Sequence, residues 1–425
     1  DLGSFQVIQV KLADNQIKEL AANLPDHVLN QPPDFSDEDP ALNYEAVLAE
    51  YRDNLLDSLE EDLQTDGDFV LIAGKWFPRA LVVDINAGHL NLAEAILDMS
   101  GGGPLPTSAL LEQVGLGGDP NSKLVEFSLD LALQEDPRFD EVGPAGEVLW
   151  YLNRLEPESV LQIPPYLRYT ELEYDRSILT PDMLSLERKL DDELSPYSGK
   201  APQVNEAQVT LTFPHWRSGT LPISATIRPL LPTAYQAPRV RFYLVDGENG
   251  SKFPGWVVRQ HRYVFGLAEW YHTRGVMPGS LVRLRRGKNP GEVIVSCDSQ
   301  RGTREWVRTV LVGSDGGIVF ALLKQVVTTS YDERMAIVIP DPEALEQAWK
   351  LQQKERQPFE KVVVNVVREL AKLNPQSHVH ASELYAALNV IRRCPPGPML
   401  ALLASRPWFI HVGDLHFRFD DSERA

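Results

Sequence analysis

The stretch 253–295, FPGWVVRQHRYVFGLAEWYHTRGVMPGSLVRLRRGKNPGEVIV, holds arginines, aromatic residues and turn residues at a higher density than the rest of the chain. Only two carboxylates interrupt it, Glu269 and Glu292. Because the whole chain has a net charge of −19, this local reversal of sign predicts a surface that binds anions, nucleic acid in particular. The basic residues of the stretch are Arg259, Arg262, Arg274, Arg283, Arg285, Arg286 and Lys288.

Around this stretch, residues 205–340 predict an all-β domain with one short helix near 267–273. Runs rich in Val, Ile, Leu and aromatic residues predict the strands, and glycine clusters at 247–250, 287–291 and 313–317 predict the turns. We expect Trp256, Phe265 and Trp270 to lie in its core. The predicted strands are 209–213, 221–227, 239–245, 256–259, 281–285 and 292–296.

The order of these elements resembles the pseudobarrel DNA-binding domains of plant auxin-response-type transcription factors and of some bacterial restriction-enzyme effector domains. A strand (VTLTF) leads into a polar segment (PHWRSG), and a later strand with basic residues (WVVRQHRY) meets a tryptophan-bearing helix (GLAEWY). The resemblance spans about ninety residues and implies that two arms grip DNA. The first arm would hold His215, Trp216, Arg217 and Ser218, and the second Arg259, Gln260, His261 and Arg262.

The chemistry of these residues agrees with DNA as a partner, with duplex expected rather than single-stranded DNA. Arginine and lysine neutralise phosphates, and Arg, Gln or His on a loop reaches base edges. Trp216 and Tyr263 would stack on bases if the substrate were single-stranded. The turn residues Arg283, Arg285, Arg286 and Lys288 would hold phosphates or an acidic neighbour. The alternative is a solvated basic face that pairs with the acidic half of the chain.

Charge is divided unevenly along the 425 residues. Residues 1–200 carry 13 Lys and Arg against 39 Asp and Glu, whereas residues 201–340 carry 17 against 10. An acidic half joined to a basic middle predicts separate modules with separate partners, and the acidic half is a candidate for binding a protein. We divide the chain into an acidic segment at 1–68, a connector at 156–204, and domains at 69–155, 205–340 and 341–425.

Residues 69–155 predict three helices followed by a β-hairpin. The order resembles the helix-turn-helix module of the bacterial RNA polymerase delta subunit, including a wing that begins Asp136, Arg138, Phe139. Thr107 is the expected N-cap of the second helix. The third helix carries Glu126 and Asp130, which would repel phosphates, so a role in binding protein or in structure is favoured over DNA binding.

Residues 341–425 predict a second winged-helix-like domain, with Ser377 or His380 near the start of its second helix. Its third helix, MLALLAS at 399–405, has almost no polar side chain and cannot read bases. The fold class predicted for the whole chain is therefore α+β and multidomain, with a central β-barrel-like domain between two winged helices.

The sequence contains few features that are typical of an enzyme or of a membrane protein. No nucleotide-binding or hydrolase motif occurs, and Asp246, Glu248 and Lys252 lie in a turn rather than on a rigid strand, so no catalytic residue, metal or cofactor is expected. No apolar run spans a membrane, no signal peptide is apparent, and two distant cysteines fit a cytoplasmic protein.

We therefore predict a non-enzymatic, bacterial-type modular DNA-binding protein associated with transcription or the genome. The competing hypotheses are a protein-interaction scaffold and, less favoured, a nuclease or restriction-type effector subunit.

Overall fold

The computed structural model describes residues 5–11, 17–30, 44–116, 122–196, 204–289, 291–314, 316–355 and 357–424. The chain forms two compact units. The first comprises Asp1–Leu71 and Trp76–Ala80, and the second comprises Ile72–Lys75 and Leu81–Ala425.

The first unit contains an antiparallel hairpin and a long helix. Strands β1 (Val7–Lys11) and β2 (Ile17–Ala21) pair with Val7 opposite Ala21. The side chain of Asn30 closes the segment after β2, because it exchanges two 2.7 Å hydrogen bonds with the main chain of Ala21. Helix α1 (Tyr44–Thr65) follows. The chain leaves this unit through the hairpin of β3 (Phe69–Ile72) and β4 (Lys75–Pro78).

The second unit begins with a module of three helices and a three-stranded sheet, here the first module. Trp150 is fully buried at its centre and donates from Nε1 to Asp130 Oδ1 across 2.9 Å. The elements are α2 (Ala87–Met99), β5 (Leu105–Pro106), α3 (Thr107–Val114), α4 (Ser122–Glu135), β6 (Phe139–Glu141) and β7 (Leu149–Leu152).

Two side-chain predictions for the first module are wrong. Thr107 is the first residue of α3 rather than its N-cap, and its hydroxyl donates to the Asp130 carboxylate in the core. Asp130, expected on the surface of α4, is therefore a buried acceptor for two donors. Burial raises its pKa to about 6, although the hydrogen bonds from Thr107 and Trp150 oppose the rise.

A connector of short helices leads to a curled, seven-stranded half-barrel sheet. The connector contains α5 (Glu158–Leu161) and α6 (Pro181–Leu190). The half-barrel strands are β8 (Glu206–Thr210), β9 (Thr220–Pro222), β10 (Arg239–Asp246), β11 (Lys252–Val258), β12 (Tyr263–Phe265), β13 (Leu281–Arg286) and β14 (Glu292–Cys297).

The spatial order of the half-barrel strands is β8-β13-β14-β10-β11-β12-β9. All neighbours are antiparallel except β10 and β14, which run parallel with Tyr243 opposite Glu292. Helices α7 (Phe213–Ser218) and α8 (Ala268–Arg274) connect strands within this domain. Trp256 and Trp270 are buried as predicted, and Phe265 is half-buried.

The polar segment 214–219, expected to be a DNA-binding arm, forms most of α7 and its C-cap. Pro214 occupies the first turn, where its missing N–H costs no hydrogen bond, and Gly219 ends the helix in the left-handed conformation at φ 63°. The strand predicted at 221–227 is likewise reduced to Thr220–Pro222. Both differences shorten the exposed chain near the expected first arm.

A two-stranded ribbon follows the half-barrel, formed by β15 (Ser299–Val312) and β16 (Ile318–Thr329). The C-terminal module completes the unit with α9 (Pro342–Glu355), α10 (Phe359–Ala371), β17 (Val379–His380), α11 (Ala381–Ile391), α12 (Pro396–Ser405), β18 (Phe409–Gly413) and β19 (His416–Phe419). His380 caps α11, as expected. The apolar α12 is buried along most of its length. The presence of helices and a curled sheet confirms the coarse α+β prediction.

The first module is fixed to the half-barrel by main-chain and ionic contacts. The N–H of Arg241 in β10 donates to the carbonyl of Val142 across 2.8 Å. Arg239 lies between two carboxylates of the preceding segments, with its Nε 2.9 Å from Asp140 Oδ2 and 3.0 Å from Glu156 Oε2. This arginine therefore joins the central domain to the acidic part of the chain.

Candidate nucleic-acid interface

Strand register brings two basic turns to the same end of the half-barrel. Arg239, at the start of β10, lies opposite Val258, at the end of β11, so the β11–β12 turn follows at this end. Because β14 runs parallel to β10, its first residue and the β13–β14 turn lie towards the same end. We call the residues 228, 259–262 and 285–288 the basic end.

The predicted second arm is the β11–β12 turn. Arg259 is exposed and donates from Nη1 to the carbonyl of Ala237 across 2.9 Å. Arg262 is exposed, adopts a φ of 53° and donates from Nη1 to the carbonyl of Glu193 across 2.9 Å. Gln260 is exposed between them, whereas the ring of His261 is half-buried and stacks on Tyr263 with 6.3 Å between centroids. The turn thus presents two guanidinium groups and one amide to solvent.

The turn between β13 and β14 supplies three more exposed cations, but Arg283 does not join them. Arg286 donates from Nη2 to the carbonyl of Pro229 across 2.7 Å, and Arg285 and Lys288 are exposed beside it. Glu206 lies opposite Arg285 in the β8–β13 pair. Arg283, further back on β13, forms an ion pair with Asp298.

The cations of the half-barrel fall into two groups. Among the described lysines and arginines of the half-barrel outside the basic end, all but Arg241 form ion pairs: Arg217 with Glu346, Arg239 with Asp140 and Glu156, Lys252 with Glu292, Arg274 with Asp246 and Glu248, and Arg283 with Asp298. Arg241 is half-buried, donates to the carbonyl of Phe242 and lies over the rings of Tyr243 and Trp256. Within the described residues, the cations of the basic end contact no carboxylate at ion-pair distance. They are Arg228, Arg259, Arg262, Arg285, Arg286 and Lys288.

The residues of the predicted first arm point into the protein. Trp216 is half-buried between two hydrophobic clusters, and its Nε1 donates to the carbonyl of Val276 across 2.8 Å. Arg217 pairs with Glu346 of α9, and Ser218 is half-buried. His215 is 1% exposed. These contacts engage the first-arm side chains within the protein.

The two aromatic rings considered for base stacking lie inside the domain. Tyr263 is fully buried and donates from its hydroxyl to the carbonyl of Ser159 across 2.7 Å. Burial raises its pKa to about 12, so the hydroxyl remains a donor. Together with the hydrogen-bonded indole of Trp216, this placement leaves neither ring open to a base.

A buried ionic cluster includes Glu193, the residue whose carbonyl accepts the hydrogen bond from Arg262. Arg393 Nη2 is 2.7 Å from both Asp192 Oδ1 and Glu193 Oε1, and His215 Nε2 is 3.2 Å from the same Glu193 oxygen. Burial alone would raise the pKa of Glu193, but the charges of Arg393 and His215 lower it below its ordinary value. The Tyr385 hydroxyl donates to Asp192. The cluster therefore joins the connector, α7 and the C-terminal module.

The acidic residues of the 246–252 turn are structural. Asp246 is 4% exposed and lies 2.5 Å from Arg274 Nη2, and it accepts a 3.0 Å hydrogen bond from Trp270 Nε1. Glu248 also pairs with Arg274, whereas Lys252 pairs with Glu292. Across the described ranges, no group of three or more His, Cys, Asp or Glu side chains is arranged to hold a metal ion.

The sequence patterns predicted neither the two-stranded ribbon nor the buried ionic cluster of Arg393. The Gly313–Gly317 turn between two β-rich runs was a signal for the ribbon. The ion pairs of Arg393 join residues about 200 positions apart, which no local pattern reveals.

Comparisons of the chain with protein-family models, with curated proteins and with solved structures give no match. None of the described helices is long and apolar enough to cross a membrane.

Proposed function

We propose that the half-barrel binds duplex DNA through its basic end. The observation that carries the proposal is the division of its cations, because the exposed ones without a carboxylate partner among the described residues are those of the basic end, whereas unpaired Arg241 is half-buried. Cations that are already neutralised by neighbouring carboxylates add little to phosphate binding. Exposed unpaired cations neutralise phosphates, and the DNA then releases the counterions condensed on it. We propose further that the half-barrel is a pseudobarrel and that the flanking modules are winged helices.

The two turns present their cations at separate places along the sheet. The centres of the β13–β14 and β11–β12 hairpins are three strand positions apart, which is about 14 Å across a flat sheet. The register also staggers them along the strands, because Glu292 at the start of β14 is level with Tyr243, whereas Val258 at the end of β11 is level with Arg239. Duplex DNA carries about one phosphate charge per 1.7 Å of its axis, so two separated cationic turns can contact phosphates of one duplex while Gln260 reaches base edges.

The scaffold hypothesis predicts that the basic face pairs with carboxylates of residues 1–200. Among the lysines and arginines of the half-barrel that the structure describes, only Arg239 does so, through Asp140 and Glu156. Arg239 lies outside the predicted arms and is 19% exposed. Its pairing explains how two domains are joined and leaves the basic end available.

The test is fluorescence anisotropy of a labelled 20-base-pair duplex titrated with the full chain at several salt concentrations. Removing both Arg259 and Arg262 by alanine substitution should weaken binding and reduce the slope of log K against log salt by about 1.8. The matched control is Arg368→Ala, which removes an exposed arginine of α10 that pairs with Asp421. Absence of duplex binding by the wild-type chain at low salt would refute the proposal.

We also propose a protein partner for α1. Five large apolar side chains of this helix are about half exposed at a spacing that places them on one side, and acidic residues flank them. An apolar stripe with acidic flanks fits a groove rimmed by basic residues. The stripe comprises Leu48, Tyr51, Leu55, Leu56 and Leu59.

A chain carrying Leu55→Glu and Leu59→Glu should lose a partner that the wild-type chain retains during affinity purification. Leu351→Glu, which alters an equally exposed leucine of α9, should retain it. Equal recovery by both variants would count against α1 as the contact.

A further inference from the structure

Trp306 differs from the other tryptophans in its exposure. Of the eight tryptophans, Trp150, Trp256 and Trp270 are buried and four more are half-buried. Trp306 is 61% exposed. It lies in the middle of β15, in the ribbon, and the described residues leave its side chain exposed. The ribbon also exposes Leu322 at 45% and Val326 at 60%, and a group of exposed apolar side chains marks a binding surface where a single one would not.

Cross-strand register defines the surface around the indole. Trp306 lies opposite Lys324, Arg304 opposite Val326, and Arg308 opposite Leu322. Side chains opposite one another in an antiparallel pair point to the same face, and residues two apart on one strand share that face. We define the ribbon face by its exposed members, which are Arg304, Trp306, Leu322, Lys324 and Val326.

Two contacts shape the ribbon face around the indole. Gly302 has no side chain, and a Cβ there would lie 3.3 Å from Val326 Cγ1. Lys324 Nζ lies over the Trp306 ring, 5.4 Å from its centroid, in a cation–π contact. The result is an exposed aromatic ring with a positive charge over one of its faces.

Charge on the ribbon face has one sign. Arg304 and Lys324 contact no carboxylate at ion-pair distance within the described part of the chain. Glu305 pairs in register with Gln325 and therefore lies on the opposite face. In a chain of net charge −19, a surface with two cations and no anion selects an anionic partner over a neutral one.

We propose that the ribbon face binds single-stranded DNA, with one base stacked on Trp306 and phosphates beside Arg304 and Lys324. An aromatic ring on an exposed sheet, flanked by cations, is the arrangement that stacks unpaired bases with little regard to sequence. Bases in a duplex are already stacked on one another, so an exposed indole has no open base face to meet in B-DNA. Leu322 and Val326 give the sugar and base an apolar surface.

This site is separate from the basic end and does not depend on it. The ribbon begins just after β14 ends at Cys297, whereas the basic end lies at the start of that strand. Either surface can bind DNA without the other, and a chain with both would hold a duplex together with an unpaired strand.

The probe is a labelled oligonucleotide of fifteen thymidines, titrated with the full chain at low salt. Trp306→Ala should weaken binding by about 5- to 100-fold, the effect of losing one stacked base. Trp306→Phe keeps an aromatic face and should lose less. Leu311→Ala is the matched control, because Leu311 lies on the opposite face of β15 at 38% exposure, and it should leave affinity unchanged.

Salt dependence tests the charged residues of the same face. Removing Arg304 and Lys324 together should reduce the slope of log K against log salt by about 1.4 for a single strand. Circular dichroism of each variant establishes that it is folded. The proposal is overturned if the wild-type chain does not bind the oligonucleotide, or if a folded Trp306→Ala variant binds as tightly as wild type. It is also overturned if Trp306→Ala abolishes self-association in sedimentation experiments and leaves DNA affinity intact, because the face would then bind protein.

The two DNA proposals fail separately. Loss of Arg259 and Arg262 should weaken duplex binding and spare the thymidine oligonucleotide, whereas Trp306→Ala should do the reverse. Duplex binding without oligonucleotide binding overturns only the ribbon proposal, and oligonucleotide binding without duplex binding overturns only the function proposed for the basic end.

Discussion

Arg262 Nη1 donates a hydrogen bond to the main-chain carbonyl of Glu193 across 2.9 Å, and the carboxylate of that same Glu193 lies 2.7 Å from the buried Arg393. One residue of the connector thus holds an exposed arginine of the basic end on its main chain and a buried arginine of the C-terminal module on its side chain. The position of Arg262 therefore depends on a cluster that solvent does not reach.

The buried cluster predicts a large effect of Arg393. Replacing Arg393 by Ala leaves Asp192 and Glu193 buried without their main compensating charge, which should destabilise the fold by about 3–5 kcal/mol. Urea unfolding followed by tryptophan fluorescence measures the loss. Arg392→Ala is the control, since Arg392 is half-buried and, within the described residues, donates to the Gln357 carbonyl and lies over the Phe359 ring without a carboxylate at ion-pair distance. Equal losses in the two variants would contradict the importance of the cluster.

The junction around Arg239 predicts a dependence of stability on pH. Burial, and then the neighbouring carboxylate of Asp140, raises the pKa of Glu156 from its ordinary 4.5 to about 8, although Arg239 opposes the rise. The folded chain therefore retains a proton that the unfolded chain releases. The contribution of Glu156 to the free energy of unfolding is greatest below pH 4.5, declines as pH rises to about 8, and is constant above about pH 8.

Glu156→Gln removes that titration and keeps the shape of the side chain. Thermal unfolding of the wild-type chain and the variant between pH 5 and 9 should show the variant gaining stability relative to wild type as pH rises, with no further gain above about pH 8. A difference that stays constant over this range would show that Glu156 is ionised throughout.

Alanine substitutions at Gly279 and Gly250 distinguish two ways of destabilising the fold, which are strain in the backbone conformation and overpacking by the added Cβ. Both have positive φ, 93° and 74° respectively, but a Cβ at Gly279 would lie 2.4 Å from the Cα of Ala336, whereas Gly250 has open space. We expect Gly250→Ala to cost about 1 kcal/mol from backbone strain. Gly279→Ala should cost about 2–5 kcal/mol because overpacking adds to the strain. Urea midpoints compare them, and similar midpoints would mean that the Ala336 segment moves aside.

The β13–β14 turn predicts that neighbouring arginines differ in DNA binding. Removing Arg285 and Lys288 by alanine substitution should reduce the salt slope of duplex binding by about 1.8, because both are exposed at the basic end. Arg283→Ala should leave the slope unchanged, because Arg283 pairs with Asp298. If Arg283 contributed as much as the turn residues, the contact surface would lie along β13 and not at its end.

The second arm could be predicted from the sequence because its signals are local. Two β-rich runs flank Gln260 and His261, and a hairpin turn between strands is exposed by construction. The helix at 213–218 could also be predicted, because Pro214 and Gly219 occupy positions that favour the beginning and the end of a helix. The polarity of HWRS predicts exposure, but Trp216 donates to the carbonyl of Val276 and Arg217 pairs with Glu346.

Pairings distant in the chain could not be predicted. Nothing near Arg239 distinguishes it from Arg259, yet one pairs with Asp140 beside Glu156 and the other donates to a carbonyl. The exposure of Trp306 has the same origin, because its alternation with apolar neighbours is typical of a core strand. Which face of a strand is covered depends on elements that other parts of the chain supply.

The strand order of the half-barrel has a consequence for the way the domain forms during synthesis. Its first strand, β8, pairs along its length with β13, so that Val209 lies opposite Val282. Strand β9 likewise pairs with β12, which is synthesised later, so that Leu221 lies opposite Val264. Contacts between residues so far apart require the closure of long loops, which slows folding. A ribosome must therefore complete β13 and β14 before the sheet can close, and until then the apolar strands near the start of the domain remain open to aggregation or to a chaperone.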